Sequence, residues 1–307
     1  MLIGAAVAAA PAPRGVTAVS TAYGTFGELL QGVLPERDGD FLVTLPIARW
    51  SRATFAADPD TADVAVRPAH KTKALTLARR IMATVPGARG GLLTLDSSLP
   101  EGKGLASSSA DLVATARALG SAWGVPMPPG RIEEHLREIE PTDGVLYPGI
   151  VAYHHRRVAL RAVLGSLPSM TIVGVDEGGA VDTIAFNRIP KPFSAGDRRR
   201  YAGLLDRMCA AVARADLAEV GRVATQSALM NQVLRPKRLL DLLVGVCRDM
   251  GGLGVVAAHS GTSLGLLLDP AAPGYPDKVA AAAHAGLQMA GNVTVYRSLS
   301  FEPVRPG

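Results

Sequence analysis

The residues best suited to chemistry lie in one stretch, Leu99-Pro100-Glu101-Gly102-Lys103-Gly104-Leu105-Ala106-Ser107-Ser108-Ser109-Ala110-Asp111. Gly91 to Asp96 before it reads as a strand. Leu112, Ala116, Leu119 and Trp123 after it recur at helical spacing. A strand, a glycine loop and hydroxyl residues opening a helix make a good cradle for phosphate. Glycine lets the backbone approach the anion, and the first-turn amides have no partner inside the helix. Serine hydroxyls there can cap the helix, meet phosphate oxygens or bind Mg²⁺. Lys103 sits between glycines and ahead of the serines, so this is not a Walker A loop, and no Gly-x-Gly-x-x-Gly is present. The competing reading is a capped helix after a turn, with the serines acting only as caps.

Three further stretches carry polar groups next to turn residues. Tyr23-Gly24-Thr25-Phe26-Gly27-Glu28-Leu29-Leu30-Gln31-Gly32 suits a tight turn that brings Glu28 and Gln31 to a ligand. Glu140-Pro141-Thr142-Asp143-Gly144 places two carboxylates around a turn. Phosphoryl transfer needs a cation on the phosphates and often a carboxylate to take the hydroxyl proton. A plain solvated turn is the alternative, and Glu133 and Glu134 are nearby carboxylates that could replace Glu140. His259-Ser260-Gly261-Thr262 forms a third turn, in which His259 is given a positioning role only. Asn231 and Gln232 end a helical stretch and are assigned no role.

The elements that must position these groups read as mixed strands and helices. Phe41–Ile47, Ala53–Phe55, Val158–Leu164, Met170–Val175, Gly254–Ala258, Leu264–Leu268 and Asn292–Arg297 read as strands. Thr72–Thr84, Arg131–Glu140, Gly196–Ala215, Leu217–Leu234, Pro236–Met250 and Asp277–Met289 read as helices. The fold class is α+β. Residues 1–16 read as a disordered leader, 17–167 as a first domain and 168–307 as a second, with the hand-over near Leu167-Pro168.

The 307 residues, 48% hydrophobic and 19% charged, fit a soluble globular protein of about two domains. Cys209 and Cys247 stand in no metal-type spacing, which points to a reducing, cytoplasmic compartment and away from zinc. The net charge of +5 is modest. The clusters Arg198-Arg199-Arg200 and His154-His155-Arg156-Arg157 read as solvated faces, and no aromatics interleave them as a nucleic-acid platform needs. The apolar start lacks the basic residues of a secretory signal, and no run reaches membrane-spanning length. The expected partners are small molecules, with no nucleic acid and no membrane; the oligomeric state is left open, with a homodimer among the options.

Pro-x-Gly-x-Gly-Leu-x-Ser-Ser-x-Ala resembles the phosphate loop of the GHMP kinases. The set formed with Gly24–Gly32 and His259–Thr262 resembles the L-threonine kinase branch of that family. Glu138–Gly144, Asp176–Gly179 and Asp182-Thr183 also resemble that branch. Tyr23 and Phe26 depart from it, standing where proline and cysteine are usual, at positions the resemblance places near the acceptor. The resemblance implies a two-domain GHMP kinase fold, with an N-terminal domain like ribosomal protein S5 domain 2 and a ferredoxin-like C-terminal domain. Nucleotide and acceptor would lie in the cleft between them. It implies ATP and Mg²⁺ as cofactors and phosphorylation of a small hydroxyl amino acid, L-threonine first. Homoserine, serine or an amino alcohol is the alternative within the class, and a non-catalytic nucleotide or metabolite sensor the alternative outside it. Pro100, Gly102, Lys103, Gly104, Leu105, Ala106, Ser107, Ser108 and Ser109 would hold the nucleotide. Ser108 and Glu140 would hold the metal, and Asp143 would be the base. Thr25, Glu28, His259, Ser260, Gly261 and Thr262 would face the acceptor, with Glu28 on its ammonium.

Overall fold

The computed structural model describes residues 15–179, 189 and 191–301. The apolar N-terminal run before residue 15 and the Asp182-Thr183 pair lie outside the described residues. The chain divides into two compact units that interleave along the sequence. Two long strands, β1 (Thr17–Val33) and β2 (Asp40–Ala57), contribute residues to both.

The first unit takes residues up to Ala22, Trp50–Ser98 and Ala110–Ile139. The second half of β2 runs antiparallel to β4 (Gly91–Ser97), from Ser51 opposite Ser97 to Ala57 opposite Gly91. β3 (Val64–Arg67) joins β4 in parallel. Apolar residues at helical spacing make α1 (Thr72–Ala83) bury Ala74, Leu77, Ala78 and Ile81. Alanine-rich sequence makes α2 (Ser107–Ala122) slim enough to be buried along most of its length. α3 (Pro129–Leu136) buries Ile132 and Leu136, and the Phe55 and Trp123 rings meet edge to face at 5.5 Å. Asp111 is buried on α2 but paired, accepting from Lys71 at 2.6 Å and from the Ser51 hydroxyl.

The second unit takes Tyr23–Arg49, Leu99–Ser109 and the chain from Glu140 onward. Its strands follow the order β10-β7-β9-β8-β1-β2, built from β7 (Thr171–Asp176), β8 (Gly254–Ala257), β9 (Ser263–Leu268) and β10 (Thr294–Arg297). β5 (Ile150–His154) adds to β2, and β6 (Ala159–Gly165) to β5. The helices are α4 (Ala195–Ala213), α5 (Leu217–Met230), α6 (Leu240–Asp249) and α7 (Tyr275–Ala290). Val173, Val175, Leu240, Leu243, Val255, Leu264 and Leu266 form a core among these strands and helices. Because α5 lies directly on β8, a side chain at Gly221 would sit 2.1 Å from the Leu253 carbonyl. Both cysteines are free thiols. No helix among the described residues is long and apolar enough to cross a membrane.

The α+β class agrees with the sequence reading, and several boundaries differ for physical reasons. Thr17 to Val33 is one strand, not a turn. Its glycines serve close approach: a Cβ on Gly24 would meet the Leu105 carbonyl at 2.5 Å, one on Gly27 the Ala257 carbonyl at 2.4 Å, and one on Gly32 the Tyr201 ring at 2.3 Å. β3 and β5, four and five residues long, are strands the sequence reading left unassigned. α3 stops at Leu136, so Glu140 lies in an irregular segment. α6 begins at Leu240, later than the expected Pro236.

Candidate functional site

All four polar stretches singled out in the sequence lie in the second unit, except for Ala110 and Asp111 at the end of the first stretch. The loop from Leu99 to Ala106 is shaped by left-handed residues: Gly102 at φ +71°, Gly104 at +79° and Ala106 at +58°. Ala106 carries a Cβ, so this conformation costs it about 1 kcal/mol, and such strain tends to collect at functional sites. Ser107, Ser108 and Ser109 follow as the first turn of α2. Their backbone amides open the helix, where an anion would be favoured.

The loop is held from two sides by backbone. From β1, the Thr25 and Gly27 amides donate to the Leu105 and Gly104 carbonyls at 3.3 and 3.1 Å. The Thr25 hydroxyl turns back to the Gly27 carbonyl at 2.8 Å, so this buried threonine braces the loop's support. From the third turn, Gly261 presses so closely that a Cβ there would lie 2.1 Å from the Lys103 carbonyl. The converse holds at Gly104, whose Cβ would meet the Ala258 methyl at 2.5 Å. Three stretches, the outer two more than two hundred residues apart in the chain, therefore meet through glycine contacts.

The carboxylates gather on the serine side. Ser108 Oγ donates to Glu140 Oε1. Ser109 Oγ donates to Asp143 Oδ2 at 3.3 Å and accepts from the Asp143 amide at 3.2 Å. The loop carrying both acids is tied down where the Thr142 amide donates to the His155 carbonyl at 3.1 Å. Burial first, then the charges of Glu28 and Glu140, together raise the Asp143 carboxyl from its ordinary 3.8 to about 7, with the Ser109 hydroxyl opposing them. Glu133 pairs with Arg137 one turn along α3, at 3.6 Å.

Glu28 is buried and engaged by the third turn. Its Oε2 accepts from His259 Nδ1 at 2.7 Å and from the His259 amide at 3.2 Å. The imidazole is oriented by a carboxylate, and its Nε2 has no hydrogen-bond partner among the described residues. Thr262 donates its hydroxyl to Asp176, and Ser260 is largely buried. Lys103 does not project freely: it lies 2.6 Å from Asp176 Oδ2 and 2.7 Å from the Gly179 carbonyl.

Two contributors were missed in the sequence. Lys237 donates Nζ to the Gly261 carbonyl and so anchors the third turn from behind. Burial lowers its ammonium to about 8, with Arg235 adding and Glu177 opposing. Asn231 braces β1, its amide donating to the Gln31 carbonyl at 2.8 Å. Neither carries a local signal, since each acts on a residue far away in the chain. Phe26 has a different place from that expected of an acceptor-facing residue. Its ring is fully buried, lies over Gly174 and Gly265, and meets Tyr296 edge to face at 5.1 Å. It fills space that those two glycines leave empty.

This geometry, a strained glycine loop opening a helix with hydroxyls on two acids, agrees with comparisons to known proteins. Residues 70–146 match the family model for the GHMP kinases N terminal domain. An L-threonine kinase of Citrobacter freundii is 26% identical over 258 residues, covering 82% of this chain and 86% of that protein. One of Salmonella typhimurium is 26% identical over 260 residues, covering 82% and 83%. Among solved structures, homoserine kinase from Cytophaga hutchinsonii superposes with a TM-score of 0.72 at 18% identity, covering 98% of each chain. L. major mevalonate kinase gives 0.71 at 16% identity, covering 95% and 99%. Residues 70–146 thus match a GHMP kinases N terminal domain, and the chain shares the fold of these solved kinases.

Proposed function

We propose that the protein is an ATP-dependent kinase that phosphorylates the hydroxyl of a small amino acid, with L-threonine as first acceptor and O-phospho-L-threonine as product. The observation that carries this reading is the meeting of the strained glycine loop with Ser108–Glu140 and Asp143. The L-threonine kinase relatives support the acceptor class. Homoserine, serine and related amino alcohols are the competing acceptors within the same chemistry.

In this reading the amides and hydroxyls from Gly102 to Ser109 hold the phosphates of ATP by directed hydrogen bonds. Asp143 accepts the proton from the acceptor hydroxyl as the phosphoryl group moves. A carboxyl titrating near neutrality suits that task, since it is strong enough as a base while still partly ionised at working pH. Glu28, fixed by His259, keeps negative charge beside Asp143 and so sustains its basicity; with the Ser260-Gly261-Thr262 turn it faces the acceptor's ammonium and carboxylate.

Mg²⁺ fits the residues present. Ser108 and Glu140 put a hydroxyl and a carboxylate at one point, and hard oxygen donors suit this ion. Among the described residues no group of three or more His, Cys, Asp or Glu side chains could hold a metal by itself, so phosphate and water oxygens would complete the shell. When bound, the ion would neutralise charge on the phosphates. We also place the enzyme in the cytoplasm, in keeping with its free thiols.

The test is ATP turnover with L-threonine, L-serine, L-homoserine and the matching amino alcohols in competition. Preference for a hydroxy amino acid is expected. Preference for an acceptor without a carboxylate, or for a sugar or isoprenoid alcohol, would overturn the acceptor assignment. Nucleotide binding without turnover on any alcohol would instead favour the sensor reading.

A further inference from the structure

Asp176 stands at the end of β7 and is held unusually firmly. Its Oδ1 accepts from the Thr262 hydroxyl and from the Gly178 amide at 3.0 Å. Its own amide donates to Asn292 Oδ1, and its carbonyl accepts from Asn292 Nδ2, both at 2.9 Å. The next residue continues the anchorage: the Glu177 amide donates to the Thr262 carbonyl at 3.1 Å, and Glu177 Oε1 accepts from the Leu239 amide at 2.8 Å. One carboxylate oxygen is thus tied to the third turn. The other, Oδ2, faces Lys103 Nζ at 2.6 Å. Burial pushes the Asp176 carboxyl up, but the bonds from Lys103, Thr262 and Gly178 outweigh it and hold the group below its ordinary range.

Lys103 is the opposite kind of residue. It lies between Gly102 and Gly104, both left-handed, on a flexible stem. A free lysine side chain loses much rotamer entropy on being fixed. Its ammonium has three donors. Asp176 Oδ2 and the Gly179 carbonyl take two of them.

Resting on the kinase reading, we infer that Asp176 is a positioning residue for nucleotide binding: it holds Lys103 in place on the phosphate loop, with one N–H left for a phosphate oxygen. The carboxylate is fixed from the sheet and the third turn, so the lysine is ordered before the nucleotide arrives. Asp176 also couples the two turns, since Thr262 and Lys103 share its two oxygens.

The test is a double-mutant cycle on the full chain with Asp176→Asn and Lys103→Met, read by ATP affinity in direct binding and by KM for ATP against kcat. Asparagine keeps an oxygen for Thr262 and Gly178 and loses only the charged partner of Lys103. Asp176→Asn should weaken ATP binding about 3- to 10-fold, in the range of one ordinary net hydrogen bond, with kcat nearly unchanged. In the Lys103→Met background the same change should have no further effect. Asp176→Asn should also raise amide exchange across residues 100–105 at an unchanged melting temperature. Wild-type ATP affinity in Asp176→Asn, tighter binding, or additive losses in the double variant would overturn the inference while leaving the kinase reading intact. A wild-type chain that binds no ATP would defeat the kinase reading itself.

Discussion

Replacing Asp143 by asparagine should make the protein more stable and nearly inactive. Burial, with Glu28 and Glu140 close by, raises its carboxyl from 3.8 to about 7. Each pKa unit is worth about 1.4 kcal/mol, so a rise of roughly three units corresponds to ~4 kcal/mol. The folded pKa exceeds the unfolded one, so the native chain holds the proton more tightly. Below about pH 4 both states carry it and the rise costs nothing. Between about pH 4 and 7 the unfolded chain gives it up first, and native stability falls as pH rises. Above about pH 7 both states are ionised and the full penalty is present. The side chain keeps some contact with solvent, so the realised figure is set at about 2–4 kcal/mol. Asparagine keeps the shape and the bond to Ser109 without the charge. Denaturant unfolding of Asp143→Asn and wild type at pH 8, 6 and 4.5 should show the variant more stable by that amount at pH 8, with the gap closing at the lowest pH. Turnover should fall ~10²- to 10⁴-fold while ATP affinity stays near that of wild type. A stability gap that is absent at pH 8, or equal at all three pH values, would refute the electrostatic argument, and undiminished kcat would remove Asp143 from the chemistry.

Ser108→Ala and Glu140→Gln should each raise the Mg²⁺ concentration needed for half-maximal turnover at fixed ATP, whereas Glu133→Gln should not; the reverse pattern moves the ligand onto α3. Phe26→Cys should cost about 2–4 kcal/mol in denaturant unfolding, because it opens a hole over Gly174 and Gly265, and should leave the ranking of acceptors unchanged. Gly261→Ala should weaken ATP binding at least ~10-fold, since its methyl must displace the Lys103 carbonyl and with it the phosphate loop. Full ATP affinity in that variant would show that the third turn does not support the loop.

Much of the loop chemistry was legible in the chain because it is local. Glycines at 102 and 104 followed by three serines specify a left-handed loop and a helix start through their own backbone preferences. The alternation and periodicity of β4, α1 and α2 likewise follow from residues a few positions apart. Where the reading failed, the deciding partner was distant. Gly24 and Gly27 signalled a turn by composition, but they lie in a strand because another backbone passes within contact of each. Phe26 looked like an acceptor-facing departure from the threonine kinase pattern, and became core because glycines at 174 and 265 leave room for its ring.

The chain by itself determined the α+β class and the glycine-serine loop that opens a helix, because propensity, periodicity and glycine freedom act within a few residues of one another. Only the tertiary structure decided which hydroxyl meets which acid, that His259 orients against Glu28, that Lys103 is held by Asp176, and that Asp143 titrates near neutrality. Those outcomes depend on burial and on charges brought together from residues 28, 108, 140, 176 and 259, and no local rule carries interactions over such separations.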